Sequence, residues 1–370
     1  MKKVLEVNID DRDSGGVYAL IKNVISHNSS NIKIDIAAIE HFKNEDNIHY
    51  FESLNCSVFY VGYEGNKFRK QFIVYKNLSQ LIKNGKYEYV HIHADTSNKL
   101  LVSALAAKNV KTPNIILHSH SSGIDGDHRR IKLVIHKLCR RLLKRIGTKF
   151  VACSDYAANW MFPNLKNYIL IKNGIDLKRF RFDASIRNEV RLNLNVKERV
   201  LIGHVGRFLY QKNHEYLISI CEELTKRNID FCFLLVGEGE RLEYIKRLVH
   251  EKNLEERVVF YGISNRVNEL MMAMDIFLLP SHFEGLPIVG VEAQASGLPV
   301  LFSDHITKEA NLSGDVTYLG IDSKDVNAWA DRICELTRID KDRKKANDKL
   351  VFEKYDIRDT VDSFIDLYKG

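Results

Sequence analysis

The chain has 370 residues, 45% of them hydrophobic and only five of them proline, which excludes a disordered or linker-rich polymer and, at this length, predicts two domains. No run approaches 18 apolar residues, so no transmembrane helix is expected; Met1-Lys2-Lys3-Val4-Leu5-Glu6-Val7 reads as a first strand and not as a signal peptide. The six cysteines (56, 139, 153, 221, 232 and 334) show neither disulfide nor zinc spacing, so reduced thiols in a cytoplasmic protein are expected. The net charge of +7 is uneven: residues 1–172 hold 26 Lys/Arg against 15 Asp/Glu (+11), and residues 173–370 hold 29 against 33 (−4). An anionic partner for the first half follows: a membrane surface, a phosphorylated acceptor or nucleic acid.

In chain order, residues 3–9 predict a strand. A polar loop, the pair Gly15-Gly16 and a helix-periodic stretch over 17–25 come next. Strand, glycines, helix is how a doubly wound domain opens, and the glycines would let backbone approach a ligand, although a tight turn without a ligand reads the same way. Asp11-Arg12-Asp13 and Asp125-Gly126-Asp127 match a two-aspartate metal pattern, but three-residue patterns are common in solvated loops and no metal is assigned. Residues 33–39 and 56–61 predict strands and 72–83 a helix. Tyr89 to Asp95 is a strand end with His91 and His93 on one face, and Asn114 to Gly123 repeats that shape with His118 and His120. Two His-x-His strand ends suit either the ligands of a metal-dependent hydrolase or the polar ends of parallel strands, where open α/β sheets place their ligand crevice.

Residues 129–149 carry nine Lys/Arg and no acid, with Ile131, Val134, Ile135, Leu138, Leu142 and Ile146 at helical spacing. This basic amphipathic helix either packs on the sheet with a solvated charged face or rests on anionic lipid. It lacks the interleaved aromatics of a nucleic-acid surface, so no nucleic-acid partner is expected. Phe150 to Ser154 is another strand, with Ser154 capping a helix through Phe162. The turn Asn173-Gly174-Ile175-Asp176 marks the expected domain boundary, giving an N-terminal domain of 1–172 and a C-terminal domain of 173–354.

Val200 to Arg207 opens the second half. Arg207 and Lys212 flank four residues after the strand, just before a helix, and two such cations suit a diphosphate. Cys232 to Glu240 is a strand and a Gly-rich turn at the same edge, with Gly237 and Gly239, and 258–263 is a further strand and turn. Asp275 to Pro280 is a buried strand. Ser281 to Pro299 then reads as loop and helix, with Pro287 as the first helical residue and Gly297 as the stop. The amides of Leu286, Ile288 and Val289 make that helix tip an anion site. Glu284 lies just before it. Glu292 lies roughly 7.5 Å along the axis from Pro287 at ~1.5 Å per residue, where a carboxylate could accept two ribose hydroxyls.

Two glutamates with seven residues between them, around Gly-Leu-Pro, resemble the signature of retaining GT-B glycosyltransferases of the glycogen synthase and phosphatidylinositol mannosyltransferase group. The resemblance covers nearly the whole chain in order: Gly-Gly loop, His strand end, Asn-Gly-Ile-Asp, Gly206-Arg207…Lys212, Gly237-Glu238-Gly239, Glu284…Glu292. It implies two Rossmann-like doubly wound domains facing each other across a cleft, with the final helix, about 355–370, crossing back to the first. It also implies Gly15 and Gly16 near sugar and acceptor, a histidine beside the transferred sugar (His120, further into its loop than His118), and Ile263 at the base. Arg207 and Lys212 would stabilise the leaving diphosphate with the helix amides behind Gly285, Glu284 would orient the donor sugar, and Glu292 would hold the ribose. The implied reaction moves a sugar from a nucleoside diphosphate, UDP favoured, to an acceptor hydroxyl with retention and without a metal or other cofactor. The basic first half suggests a lipid-linked glycan acceptor of bacterial surface polysaccharide assembly, with peripheral contact at the inner face of the plasma membrane through 129–149. A metal-dependent hydrolase using His91, His93, His118 and His120, a GT-B-fold sugar-nucleotide epimerase and a catalytically silent nucleotide-binding subunit are the rival readings.

Overall fold

Alternating strand and helix patterns build two parallel sheets in this computed structural model, which describes residues 2–11, 16–124, 128–339, 342–352 and 354–369. The first sheet holds β1 (Lys2–Val7), β2 (Ile32–Ala38), β3 (Val58–Tyr60), β4 (Tyr89–Ala94), β5 (Asn114–Ser119), β6 (Lys149–Ala152) and β7 (Ile169–Leu170) in the order 3-2-1-4-5-6-7. The second holds β8 (Val200–Val205), β9 (Phe231–Val236), β10 (Val258–Gly262), β11 (Ile276–Leu279), β12 (Val300–Ser303) and β13 (Val316–Leu319) in the order 10-9-8-11-12-13. Central strands such as β4 and β9 are buried along their whole length, as parallel sheets covered on both faces require. Both sheets reverse direction of growth beside their first strand, between β1 and β4 and between β8 and β11. Such a switch point is where doubly wound folds receive ligands.

The chain divides into two compact units, Met1–Gly174 with Ile357–Gly370, and Ile175–Asp356. The C-terminal helix Ile357–Lys369 thus belongs to the first unit. There Ile357, Val361, Phe364 and Tyr368 join a core with Val4, Ile36 and Phe51. The second unit has its own core, from Ile202 and Phe208 to Trp329 and Ile333. All six cysteines are free. Among the described residues no helix is long and apolar enough to cross a membrane.

One local expectation changes and one pair of alternatives narrows. Pro287 is the N-cap and not the first helical residue, because its ψ of 105° is extended while its carbonyl already accepts from Gly290 and Val291; the helix runs Ile288–Ala295. A proline φ suits either position. The basic helix Arg129–Leu143 does not pack through its apolar stripe. It seats on its own unit through His136 and Leu143, while Ile131, Val134, Ile135, Leu138 and Leu142 are 43–61% exposed.

Candidate functional site

In the second unit the chain crosses the switch point twice. After β8 it runs through Gly206, Arg207 and Phe208 to a short 3-10 turn, Tyr210–Lys212, and the left-handed Asn213 that starts the next helix. The ends of β8, β9 and β10 are laced together: Gly206 N donates to Val236 O (2.9 Å), Phe208 N to Glu238 O (2.8 Å) and Gly237 N to Gly262 O (2.9 Å). Glycine is obligatory in that lacing. A Cβ at Gly237, where φ is +138°, would lie 2.2 Å from Gly206 O.

After β11 the loop brings Glu284 against Lys212, with Nζ and Oε1 2.7 Å apart. Gln211 Nε2 donates to the other carboxylate oxygen (3.1 Å) and to Phe283 O (3.0 Å), and His282 N donates to Gln211 O (2.8 Å). Glu284 is only 6% exposed, so the pair is held in place from both sides. Arg207 is half-buried on the same turn. The helix Ile288–Ala295 is eight residues long and starts after the buried Leu286. The amides of Ile288 and Val289 stand ahead of its first intrahelical bonds, in the positive end of the dipole. Glu292 follows one turn later. Burial pushes its carboxyl up to about 7, against the pull of Arg179, although part of the residue still reaches solvent. Ile263 stands 55% exposed after β10.

Three residues here escape motif reading. Gln211 is polar and adjacent to Lys212, which is its one signal. His204 and His214 are buried behind the turn. His204 Nδ1 donates to Leu278 O (2.9 Å) and the His214 ring stacks on Phe208. Burial pushes His204 down to about 3 and lowers His214 well below the usual range.

In the first unit the switch point is filled by side chains. Parallel register sets Glu6 of β1 beside His91 of β4, and His93 beside His118 of β5. Glu6 Oε2 accepts from His93 Nε2 (2.7 Å), and His93 Nδ1 meets His120 Nε2 (2.8 Å). Glu6 Oε1 accepts from the Tyr368 hydroxyl. Tyr368 lies 2.6 Å from His91 Nδ1, and His91 Nε2 lies 3.1 Å from His118 Nδ1. Phe364, one turn before Tyr368, lies against the rings of His91, His93 and His118. Burial acts to raise the Glu6 pKa, but charge and hydrogen bonds from His91 and His93 outweigh it and hold the carboxyl below the usual carboxylate range. Burial pushes His93 down to about 4 and lowers His118 and His120 well below the histidine range.

The ring nitrogens of His91, His93 and His118 lie within 4.8 Å of one another, the grouping a metal-dependent hydrolase would need. Both ring nitrogens of His91 and of His93 are instead engaged by Glu6, Tyr368 and the other histidines. A shared metal would have to break that network. Among the described residues only His118 Nε2 and His120 Nδ1 in this group lack a partner. Of the two-aspartate patterns, Asp11 accepts from Lys43 N, Asn44 N and Asn47 Nδ2, a capping role. Asp13, Asp125 and Asp127 lie outside the described residues, as does Gly15, while Gly16 begins the first helix.

Comparison with known proteins follows the same division. Residues 186–349 match the family described as Glycosyl transferases group 1, and residues 43–179 match Glycosyltransferase Family 4. EpsF from Bacillus subtilis (strain 168), which is named as a glycosyltransferase, is 31% identical over 381 residues, covering 99% of this chain and 96% of EpsF. The UDP-Gal:alpha-D-GlcNAc-diphosphoundecaprenol alpha-1,3-galactosyltransferase of Escherichia coli is 24% identical over 306 residues, covering 79% of this chain and 78% of that enzyme. The crystal structure of Anabaena Alr3699/HepE with UDP and glucose superposes over the full length of both chains, with a TM-score of 0.79 at 17% identity. The two Rossmann-like sheets are therefore those of the GT-B fold, and the chain belongs to the group 1 and family 4 glycosyltransferases.

Proposed function

We propose that this glycosyltransferase moves a sugar from a nucleoside diphosphate, UDP in the first instance, to a hydroxyl of a lipid-linked glycan in bacterial surface polysaccharide synthesis, with retention and without a metal. The observation that carries the donor half is the Lys212–Glu284 pair beside a helix tip at the switch point of the C-terminal unit. Lys212 and the half-buried Arg207 follow β8 and the helix amides follow β11, the neighbouring strand; together they make the donor set a diphosphate needs. The names of the Escherichia coli relative and of the HepE complex support UDP and a lipid-linked acceptor.

In this reading the C-terminal unit is the donor domain and the N-terminal unit the acceptor domain. On donor entry Lys212 turns from Glu284 to the diphosphate, which Arg207 and the amides of Leu286, Ile288 and Val289 also contact. Gly206, Gly237 and Gly285 give it backbone room. The Glu284 carboxylate then accepts from a sugar hydroxyl, Glu292 takes the ribose hydroxyls, and Ile263 lies at the base. Gly15, Gly16 and His120 serve the sugar and acceptor. The bond from the anomeric carbon to the phosphate oxygen breaks, and the bond to the acceptor oxygen forms on the same face. The acceptor proton passes to the departing diphosphate. Arg207 and Lys212 stabilise the charge that develops on it, the contribution that is usually largest in such sites.

The exposed apolar stripe of the helix Arg129–Leu143, with Arg130, Lys132, Lys137 and Arg141 beside it, supports a peripheral contact with anionic lipid. Sedimentation with anionic vesicles should fall sharply for Leu138→Glu; equal sedimentation of both proteins would remove the membrane contact from the reading.

The reaction is tested by incubating UDP-, GDP- and ADP-sugars with a lipid-diphosphate-linked glycan, with and without EDTA. The reading predicts release of one nucleotide only when acceptor is present, no effect of EDTA, and a product whose anomeric configuration by NMR matches the donor. Release without acceptor, isomerised donor or an inverted linkage would overturn it.

A further inference from the structure

The network at the first unit's switch point has a direction. A carboxylate only accepts, so the Tyr368 hydroxyl and His93 Nε2–H must both donate to Glu6. With Nε2 protonated, neutral His93 keeps a lone pair on Nδ1, which must take its hydrogen bond from Nε2–H of His120. His120 is then left with a bare lone pair on Nδ1. Along the other branch the Tyr368 hydroxyl spends its one hydrogen on the bond to Glu6, so its oxygen accepts from His91 Nδ1–H. His91 Nε2 then accepts from His118 Nδ1–H, and His118 is left with a bare lone pair on Nε2. Those two nitrogens are the two of this network that lack a partner among the described residues, and both are sealed from solvent.

We propose that Glu6 is a positioning residue that polarises both chains, fixing His120 as a neutral imidazole whose Nδ1 can only accept, and that the ligand group it meets is a carbohydrate hydroxyl. The proposal rests on the glycosyl-transfer reading and adds to it the protonation state and the residues that enforce it: Glu6 through His93, with Tyr368 of the C-terminal helix as the second branch. Burial, which disfavours imidazolium at His93, His118 and His120, keeps those three rings in this neutral form. A donor at that position, such as lysine or protonated histidine, would compete with the sugar hydroxyl's own acceptor partners. A lone pair backed by a carboxylate strengthens the hydroxyl it binds.

Histidine tautomers, read from two-bond proton–nitrogen correlations on the ligand-free, 15N-labelled full chain, test this directly. The expected pattern is opposed: Nε2–H on His93 and His120, and Nδ1–H on His91 and His118. A proton on His120 Nδ1, or one tautomer shared by all four, would overturn the proposal. In Glu6→Gln the amide offers one donor and one acceptor, so one of the two chains should reverse its tautomers; unchanged tautomers would also overturn it. In either orientation the charge behind His93 is lost, and kcat should fall roughly tenfold to hundredfold, the range for losing the outer partner of a working imidazole, with the KM for nucleotide sugar unchanged. In Tyr368→Phe His93 and His120 should keep Nε2–H, which covers the case in which Glu6→Gln fails to fold, and His91 should keep Nδ1–H, because that nitrogen still stands 3.4 Å from Glu6 Oε2. If no nucleotide sugar turns over at all, the proposed reaction fails on its own, and the tautomers still decide the chains.

Discussion

At the switch point of the C-terminal unit a carboxylate is matched by a cation, Glu284 by Lys212, with Gln211 completing the shell. At that of the N-terminal unit a carboxylate fully buried among aromatic rings, Glu6, accepts from the Tyr368 hydroxyl and from His93, two donors that burial keeps neutral. Six strands follow the same order, 3-2-1-4-5-6, in both sheets, the first adding β7 at its far edge, yet the two sites are built for different tasks. An ion pair can exchange partners, since either member is satisfied by a ligand of the opposite kind. A carboxylate held by neutral donors cannot exchange without leaving a buried charge, so it fixes the protons around it. The C-terminal site is thus suited to take up and release a charged ligand, and the N-terminal site to hold a fixed hydrogen-bonding face.

Breaking the fixed site should cost the most stability. Phe364 is fully buried against three of the four histidines, and Phe364→Ala should destabilise the N-terminal unit by about 3–5 kcal/mol in urea unfolding, leaving UDP affinity intact. A loss well below this would mean that the C-terminal helix is not what closes the network. At the exchangeable site, Lys212→Ala should lower kcat roughly a hundredfold to a thousandfold. It should also lower Tm more than Arg207→Ala does, because Glu284 stays buried without its cation. A Lys212→Met/Glu284→Gln double variant should recover the Tm but not the turnover, and recovery of both would deny the pair a catalytic role.

The pH dependence separates the two kinds of group further. His93 and His204 have folded values of about 4 and about 3 against an ordinary 6.5. The unfolded chain therefore binds more protons in that window, and their contribution, full above 6.5, is lost as pH falls towards 4. Glu292 has the opposite sign. Its folded value of about 7 exceeds the ordinary 4.5, so its contribution is full below 4.5 and is lost as pH rises through 7. Glu292→Gln should remove this falling contribution between pH 4.5 and 7, so the Tm of the variant should rise more steeply than that of the wild type across that window and run parallel to it above pH 7. It should also remove a rise in nucleotide affinity through pH 7, since the ionised carboxyl is the better ribose acceptor. Parallel wild-type and variant curves between pH 4.5 and 7 would place Glu292 in a more solvated setting.

What could be read from sequence was local. Arg207, Lys212, Glu284 and Glu292 each lie within a few residues of a strand end or helix start, and strand, turn and helix patterns place such residues at a sheet edge without any knowledge of long-range contacts. The pairing of Lys212 with Glu284 across 72 residues was not readable, because it depends on β8 and β11 being neighbours. The first-unit network was still less so: Tyr368 reaches Glu6 across 362 residues, and neither residue lies in a motif. Periodicity showed the apolar stripe of residues 131–142 but not the side it faces, since a core-facing and a membrane-facing stripe have the same spacing. Pro287 shows the same limit on a small scale: its φ is fixed by chemistry, but its ψ is set by the loop before the helix.

The central claim, that the C-terminal unit's switch point holds a nucleoside diphosphate by cations and helix amides, is tested most directly by calorimetric titration of UDP into the full-length protein and into Arg207→Ala, each with EDTA present. The account predicts one site per chain in the wild type, undiminished by EDTA, and a loss of roughly tenfold to hundredfold in Arg207→Ala, the worth of a hydrogen bond to a charged group. Equal affinity in the two proteins, or binding abolished by EDTA, would contradict it.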